Sequence, residues 1–131
     1  MTNEELISEA EKAMNMAYAP YSEFHVGAAL LTEDGKIYTG CNVENASFGA
    51  TICAERTAAV KAVSEGHKRF AKIAVTGSSK EFTYPCGICR QFLIEFMSED
   101  AEFIFEDINE GIRVLKASEL LPYSFTKESI K

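Results

Sequence analysis

The feature that most constrains the fold is the order in which the hydrophobic period changes along the 131 residues. Thr2-x-x-Glu5 precedes apolar positions at Leu6, Ile7, Ala10, Ala13, Met14 and Ala17, a capping box followed by an amphipathic helix. Ala19-Pro20-Tyr21 ends that helix, because the residue before a proline is pushed out of the α region. Glu23–Leu31 then alternates, with Phe24, Val26, Ala28 and Leu30 sharing one face, as in a strand. Glu33-Asp34-Gly35 supplies a hairpin turn, and Lys36–Val43 returns as the second strand. Good helix formers run from Cys53 to Glu65, with Gly66 placed as a stop. Arg69–Thr76 reads as a buried strand around Ile73-Ala74-Val75. Cys86–Met97 has Phe92, Leu93 and Phe96 at helical spacing. Glu102–Glu106 and Ile112–Leu115 are strands around the Asn109-Glu110-Gly111 turn, and Ser118–Leu121 starts a short helix before Pro122.

The resulting order, α-β-β-α-β-α-β-β-α, is a hairpin followed by strand–helix–strand alternation. That order predicts an α/β layered domain with a mixed sheet of five strands. No repeat, low-complexity tract or long linker interrupts it, so residues 1–131 are expected to form one domain.

Charge and composition narrow the partners. Hydrophobic residues make up 47% and charged residues 25%, the balance of a soluble globular domain rather than a disordered chain. Thirteen Lys+Arg stand against 20 Asp+Glu, a net charge of −7, which repels phosphate backbones and argues against nucleic acid as a partner. The apolar run Val26–Leu31 is far short of the about 18 residues of a membrane span. Met1-Thr2-Asn3-Glu4-Glu5 is polar and acidic, unlike a secretory signal. The expected compartment is therefore the cytoplasm, where thiols stay reduced.

Four cysteines then carry the chemistry: Cys41, Cys53, Cys86 and Cys89. Cys86-Gly87-Ile88-Cys89 follows Pro85 at the mouth of a predicted helix. Positions i and i+3 share a helix face, and the positive helix end favours thiolates. Alone, such a pair suits a redox couple as well as a metal site. Cys53-Ala54-Glu55 opens the other long helix and offers a third thiolate. Three thiolates without a fourth protein donor leave a tetrahedral zinc ion one open position, which separates catalytic from structural sites. Cys41, in the second strand, is the rival fourth ligand, although a lone strand cysteine more often behaves as a small hydrophobe. His25 is expected to be an edge or exposed side chain, and His67 to be solvated in its turn.

Glu55 gives a metal something to act with. Zinc acidifies a bound water, but the proton still needs an acceptor. At a first helical turn, with Cys53 near the cap, both groups can reach one cavity. A dication and three thiolates leave one net negative charge. Arg56 can offset it by donating to a ligating sulfur, and Arg90 is a second candidate.

A ligand followed by a glutamate and then P-C-x-x-C resembles the zinc deaminases. Over nearly the whole chain the sequence is similar to the small homotetrameric cytidine deaminases. The likeness includes Ala19-Pro20-Tyr21-Ser22, Phe24 to Ala29, Gly40-Cys41-Asn42-Val43-Glu44-Asn45-Ala46 and Leu120-Leu121-Pro122. The resemblance implies a three-layer α/β/α sandwich, a zinc ion on Cys53, Cys86 and Cys89, and Glu55 as general acid and base. It implies hydrolytic deamination of cytidine and 2'-deoxycytidine to uridine and 2'-deoxyuridine, with release of ammonia. Asn42 and Glu44 would bind sugar hydroxyls, Phe24 would pack on the pyrimidine, and the backbone of Ala54 would read the base. Phe125 would close a neighbouring subunit's pocket in a homotetramer. Phe48 stands where many relatives have tyrosine, so any hydroxyl contact made there is absent or replaced. Two other readings remain open: a relative acting on a different aminopyrimidine, and a non-catalytic zinc module closed by Cys41.

Overall fold

The computed structural model describes residues 1–130. A five-stranded mixed sheet in the order β2-β1-β3-β4-β5 forms the middle layer. Its strands are β1 (Val26–Thr32), β2 (Ile37–Cys41), β3 (Phe70–Gly77), β4 (Met97–Asp107) and β5 (Gly111–Lys116). Only β3 and β4 run parallel, and α3 (Gly87–Ile94) connects them, since parallel neighbours need a crossover.

Alternation along β1 sends its residues to two cores. Ala29 faces α1 (Asn3–Met14), where Leu6, Ile7, Ala10, Ala74 and Ile104 close one layer. Ala28 and Leu30 face α2 (Ala54–Ser64), α3 and α4 (Ala117–Leu120), together with Ile73, Val75, Phe103 and Phe105. Each fully buried leucine, isoleucine or phenylalanine here contributes about 1.5–3 kcal/mol before entropy is counted. One helix on one face and three on the other make the α/β/α sandwich. Among the described residues no helix is long and apolar enough to cross a membrane.

Several boundaries differ from the sequence reading. Thr2 caps α1 as expected, its Oγ1 accepting the Glu5 N–H at 3.1 Å, but α1 stops at Met14. The first strand begins at Val26, not Glu23. Its expected start is a turn with Glu23 at a φ of 59°. The helix from Cys86 ends at Ile94, and β4 starts at once, with Met97 opposite Phe70. Ser98-Glu99-Asp100, polar enough to resemble a loop, therefore lies in a strand. His67 is not simply solvated. Its Nδ1 lies 3.2 Å from Asp34 Oδ2, and its ring sits 5.6 Å from that of Tyr38.

Strand register places the chemistry. Cys41 near the end of β2 and Thr76 near the end of β3 both pair with Gly27 of β1. The two strands therefore finish level with one another, and the segments leading to α2 and α3 leave the sheet at the same edge. Gly40 lets α2 come close: a Cβ there would meet Ala54 O and Ala58 N, both at 2.5 Å.

Candidate active site

Two helices begin side by side at this edge, each capped by a cysteine in extended conformation. Cys53 is the N-cap of α2 and Cys86 the N-cap of α3, and neither side chain caps its own helix. Their sulfurs are 3.9 Å apart, and Cys86 lies 3.5 Å from Cys89. All three sulfurs fall within 4.8 Å of one another. Tetrahedral zinc with Zn–S bonds of about 2.3 Å requires sulfurs about 3.8 Å apart, so the spacing fits.

The electrostatics of the thiols also fit a cation. Cys53 is lowered to about 5, chiefly by the hydrogen bond from Cys89, with Arg56 and Cys86 adding to it against burial. Cys89 is pushed up because it donates to Cys53 and is itself buried. Without a metal, one sulfur takes the charge at the expense of its neighbour. A dication removes that competition.

Among the described residues, the cluster contains no fourth histidine, cysteine or carboxylate. Cys41 follows Gly40 on β2, and alternation turns it away from the face that Gly40 presents to α2. His25 pairs its backbone with Ser78 and is not part of the cluster.

Arg56 reaches the sulfurs, while Arg90 does not. Arg56 Nη2 lies 3.8 Å from Cys53 Sγ and donates to Thr51 O at 3.3 Å. Its Nε is buried with no hydrogen-bond partner among the described residues. A half-buried guanidinium with a spare donor suits a centre that keeps net negative charge. Arg90 instead spans two carbonyls, Pro85 O at 2.8 Å and Leu120 O at 2.9 Å, and so fixes the start of α3. The preceding loop is held from β5, where Arg113 lies 4.2 Å over the Phe82 ring and donates to Tyr84 OH.

Glu55, one residue inside α2, is only 4% exposed. Its carboxyl is pushed up to about 7, first by burial and then by the charge on Cys53, against its own backbone amide and Arg56. A group poised near neutrality is what acid–base chemistry at neutral pH needs. Ala54 is fully buried at the first helical position, where backbone N–H groups lack intrahelical partners.

A polar arm adjoins the thiols. Asn42 Nδ2 donates to Phe24 O at 2.8 Å, and its Oδ1 accepts the Val26 N–H at 2.9 Å. Glu44 Oε1 accepts the amides of Tyr21 and Ser22 at 3.0 and 3.1 Å. These bonds, led by that from the Ser22 hydroxyl to Oε2, hold the Glu44 carboxyl below its usual range. The Phe24 ring is 37% exposed and packs over Gly77, where a Cβ would strike both it and Thr83. Phe24 therefore does not fill the core but keeps an open face. Phe125 is 61% exposed, and its carbonyl accepts from Gln91. Phe48 is 75% exposed, edge-on to Tyr21 at 5.9 Å. Sequence reasoning missed Ser22 and Thr51. The one available signal was a serine two residues before Phe24, the spacing of a side-chain turn.

A cavity of about 620 Å³ lies elsewhere, between α1 and the ends of β3 and β4. It is lined by none of the thiols and not by Glu55.

Residues 1–105 match the family described as "Cytidine and deoxycytidylate deaminase zinc-binding region". The cytidine deaminase of Sporosarcina psychrophila is 45% identical over 130 residues, covering 99% of this chain and 96% of that protein. That of Halalkalibacterium halodurans is 46% identical over 130 residues, covering 99% and 98%. The crystal structure of cytidine deaminase from Burkholderia pseudomallei superposes with a TM-score of 0.89 at 48% identity, covering 95% of this chain and all of that one. With three thiols converging at zinc spacing and a buried glutamate beside them, the chain belongs to the cytidine and deoxycytidylate deaminase family.

Proposed function

We propose that the protein hydrolyses the exocyclic C–N bond of cytidine and 2'-deoxycytidine, giving uridine or 2'-deoxyuridine and ammonia. The observation that carries this is the open three-thiol cluster at two helix N-termini with Glu55 buried next to it. Cys53, Cys86 and Cys89 would hold zinc, and a bound zinc ion supplies Lewis acidity that brings water toward ionisation at neutral pH. The carboxylate of Glu55 takes a proton from the attacking water and passes it to N3 of the base. Once the water oxygen has bonded to C4, the same carboxylate takes the remaining proton from that hydroxyl and delivers it to the amino nitrogen. The C4–N bond then breaks, ammonia leaves and the C4 carbonyl forms. Arg56 steadies the charge on Cys53.

Around the reacting atoms, the N–H of Ala54 would read the base and Phe24 would lie against its ring. Asn42 and Glu44 would meet the sugar. Each retains capacity for this. Asn42 has a second amide proton and a second oxygen lone pair. The Glu44 carboxylate has about four acceptor positions, and three are filled from within the chain.

The assembly in this proposal is a homotetramer, with Phe125 covering a neighbour's site. The exposed rings of Tyr21, Phe48 and Phe125 support it. The compartment is the cytoplasm, where the thiols remain reduced.

The test is ammonia release from cytidine, deoxycytidine, cytosine and cytidylate by protein of known zinc content. Turnover of the two nucleosides well above the base and the nucleotide is expected. Preference for cytosine or cytidylate would overturn the proposal.

A further inference from the structure

Residues 21–25, the last part of the link from α1 to β1, form no helix or strand, yet side chains from beyond β2 hold them in place. Asn42 grips Phe24 O and Val26 N, and Glu44 grips the amides of Tyr21 and Ser22. One group joins these two grips. The Ser22 hydroxyl donates to Glu44 Oε2 and accepts the Phe24 N–H at 3.0 Å. Its single proton must go to the carboxylate, which has none to give, and a lone pair is left for the amide. The turn closed in this way puts Glu23 in the left-handed region, at a φ of 59°. A non-glycine residue stays there when its surroundings impose it. Here the Glu23 amide is tied to Ala19 O at 2.9 Å as well.

We propose that Ser22 is a positioning residue for the deamination reaction. Its hydroxyl locks the Glu44 carboxylate to the Phe24 backbone, so the sugar-facing group and the base-facing ring move as one unit. This rests on the reading that Glu44 meets a sugar hydroxyl and Phe24 the pyrimidine. Ser22 acts only through those two residues. Removing its hydroxyl frees Oε2 and strips the Phe24 amide of its acceptor, while the amides of Tyr21 and Ser22 still hold Oε1. The arm loosens but does not detach. Glu55 and the thiols sit on other segments, so the loss falls on binding and not on the chemical step.

The experiment is steady-state cytidine kinetics on the zinc-loaded protein, with zinc content and Tm measured for every variant. Ser22→Ala is expected to raise KM about five- to tenfold with kcat within about twofold, the signature of lost uniform binding. Ser22→Thr keeps the hydroxyl and is expected to stay within about twofold of the wild-type KM. In a Glu44→Ala background, Ser22→Ala is expected to add less than about twofold, because the hydroxyl has lost its acceptor. Unchanged KM in Ser22→Ala beside a raised KM in Glu44→Ala would overturn the role of Ser22 and leave the sugar reading standing. Unchanged KM in Glu44→Ala would instead overturn the sugar reading, and the proposal with it. Equal effects of Ser22→Ala in both backgrounds, or a threonine variant as impaired as the alanine one, would also overturn it.

Discussion

Cys53 and Cys86 occupy the same position, the N-cap, on two different helices, and their sulfurs are 3.9 Å apart. An N-cap side chain ordinarily bonds its own helix, and neither of these does. Both are therefore free to turn toward a shared point at two positive helix ends, where thiolate is favoured. Their third partner, Cys89, is one turn inside α3 and buried.

Metal content should respond accordingly. Cys89→Ala leaves two sulfurs and is expected to take the zinc-to-chain ratio from near one to near zero after dialysis. Arg56→Gln keeps all three sulfurs but loses the charge that steadies Cys53, so affinity should fall by about 10- to 100-fold, as for other supporting partners of metal ligands. Competition with a zinc-binding dye measures both. Full zinc retention in Cys89→Ala would contradict the assignment of the three sulfurs as ligands.

The thiol cluster was legible in the sequence because its signals are local. A cysteine before a glutamate and a Pro-Cys-x-x-Cys each sit at a readable helix start. The layered α/β domain with its five-stranded mixed sheet was legible for the same reason, since alternation in β1 and the helical spacing of α1 are local signals, whereas the three-layer arrangement followed only from the family resemblance. Segments held by distant partners were not legible. Residues 23–25 continue the alternation of β1, but Asn42 holds the Phe24 carbonyl and Glu44 holds the preceding Tyr21 and Ser22 amides, and the segment leaves the sheet. His67 looked like a turn residue because Asp34, its partner, lies across the fold. Ser98-Glu99-Asp100 reads as a loop from its polarity, and in β4 it fills the break in register between the pairs Phe70–Met97 and Lys72–Glu102, which a sequence does not display.

Among the described residues, Glu55 is the one carboxyl buried against the cluster. Glu55→Gln retains size and hydrogen bonding but cannot accept the proton from water. It should keep zinc and lose kcat by at least the about 10²–10⁴-fold typical of a general acid–base group. Ammonia release alongside metal analysis checks both halves. Retained turnover would remove the proton-transfer role, and lost zinc would assign Glu55 to the integrity of the site instead.

Gly40 connects packing to chemistry. A Cβ at this position meets Ala54 O and Ala58 N at 2.5 Å and Thr57 Cβ at 2.9 Å. Two of these are backbone atoms, which cannot swing aside, so Gly40→Ala must push α2 off the sheet. Overpacking of this kind costs about 1–3 kcal/mol. Because Cys53 and Glu55 ride on the first turn of α2, zinc affinity should fall together with Tm. A control at Gly49, where an added Cβ meets nothing within 4 Å, should change neither. A Gly40→Ala protein with wild-type Tm and zinc affinity would mean that α2 is not held as closely as described.

A last prediction concerns Glu106, on the face of β4 toward α1. Its carboxyl is raised above the usual glutamate range, first by burial and then by Glu11 and Glu4 of the helix. Lys12 and Lys80 line the same cavity but do not cancel that repulsion, and Asp107 there is a further acid. A carboxyl raised in the folded state is protonated in both states at low pH and costs nothing there. As pH rises past the ordinary glutamate value of about 4.3, the unfolded chain ionises more readily than the folded one, and stability falls until the folded carboxyl has also ionised. Above that point the penalty is constant. Glu106→Gln removes it, so the variant should melt about 1–2 °C higher at neutral pH, a small gain because the site is partly exposed. The difference should vanish near pH 4. Thermal melts of both proteins across that range decide the matter. An advantage as large at pH 4 as at pH 7 would place its origin in packing, and a variant less stable at pH 7 would contradict the repulsion itself.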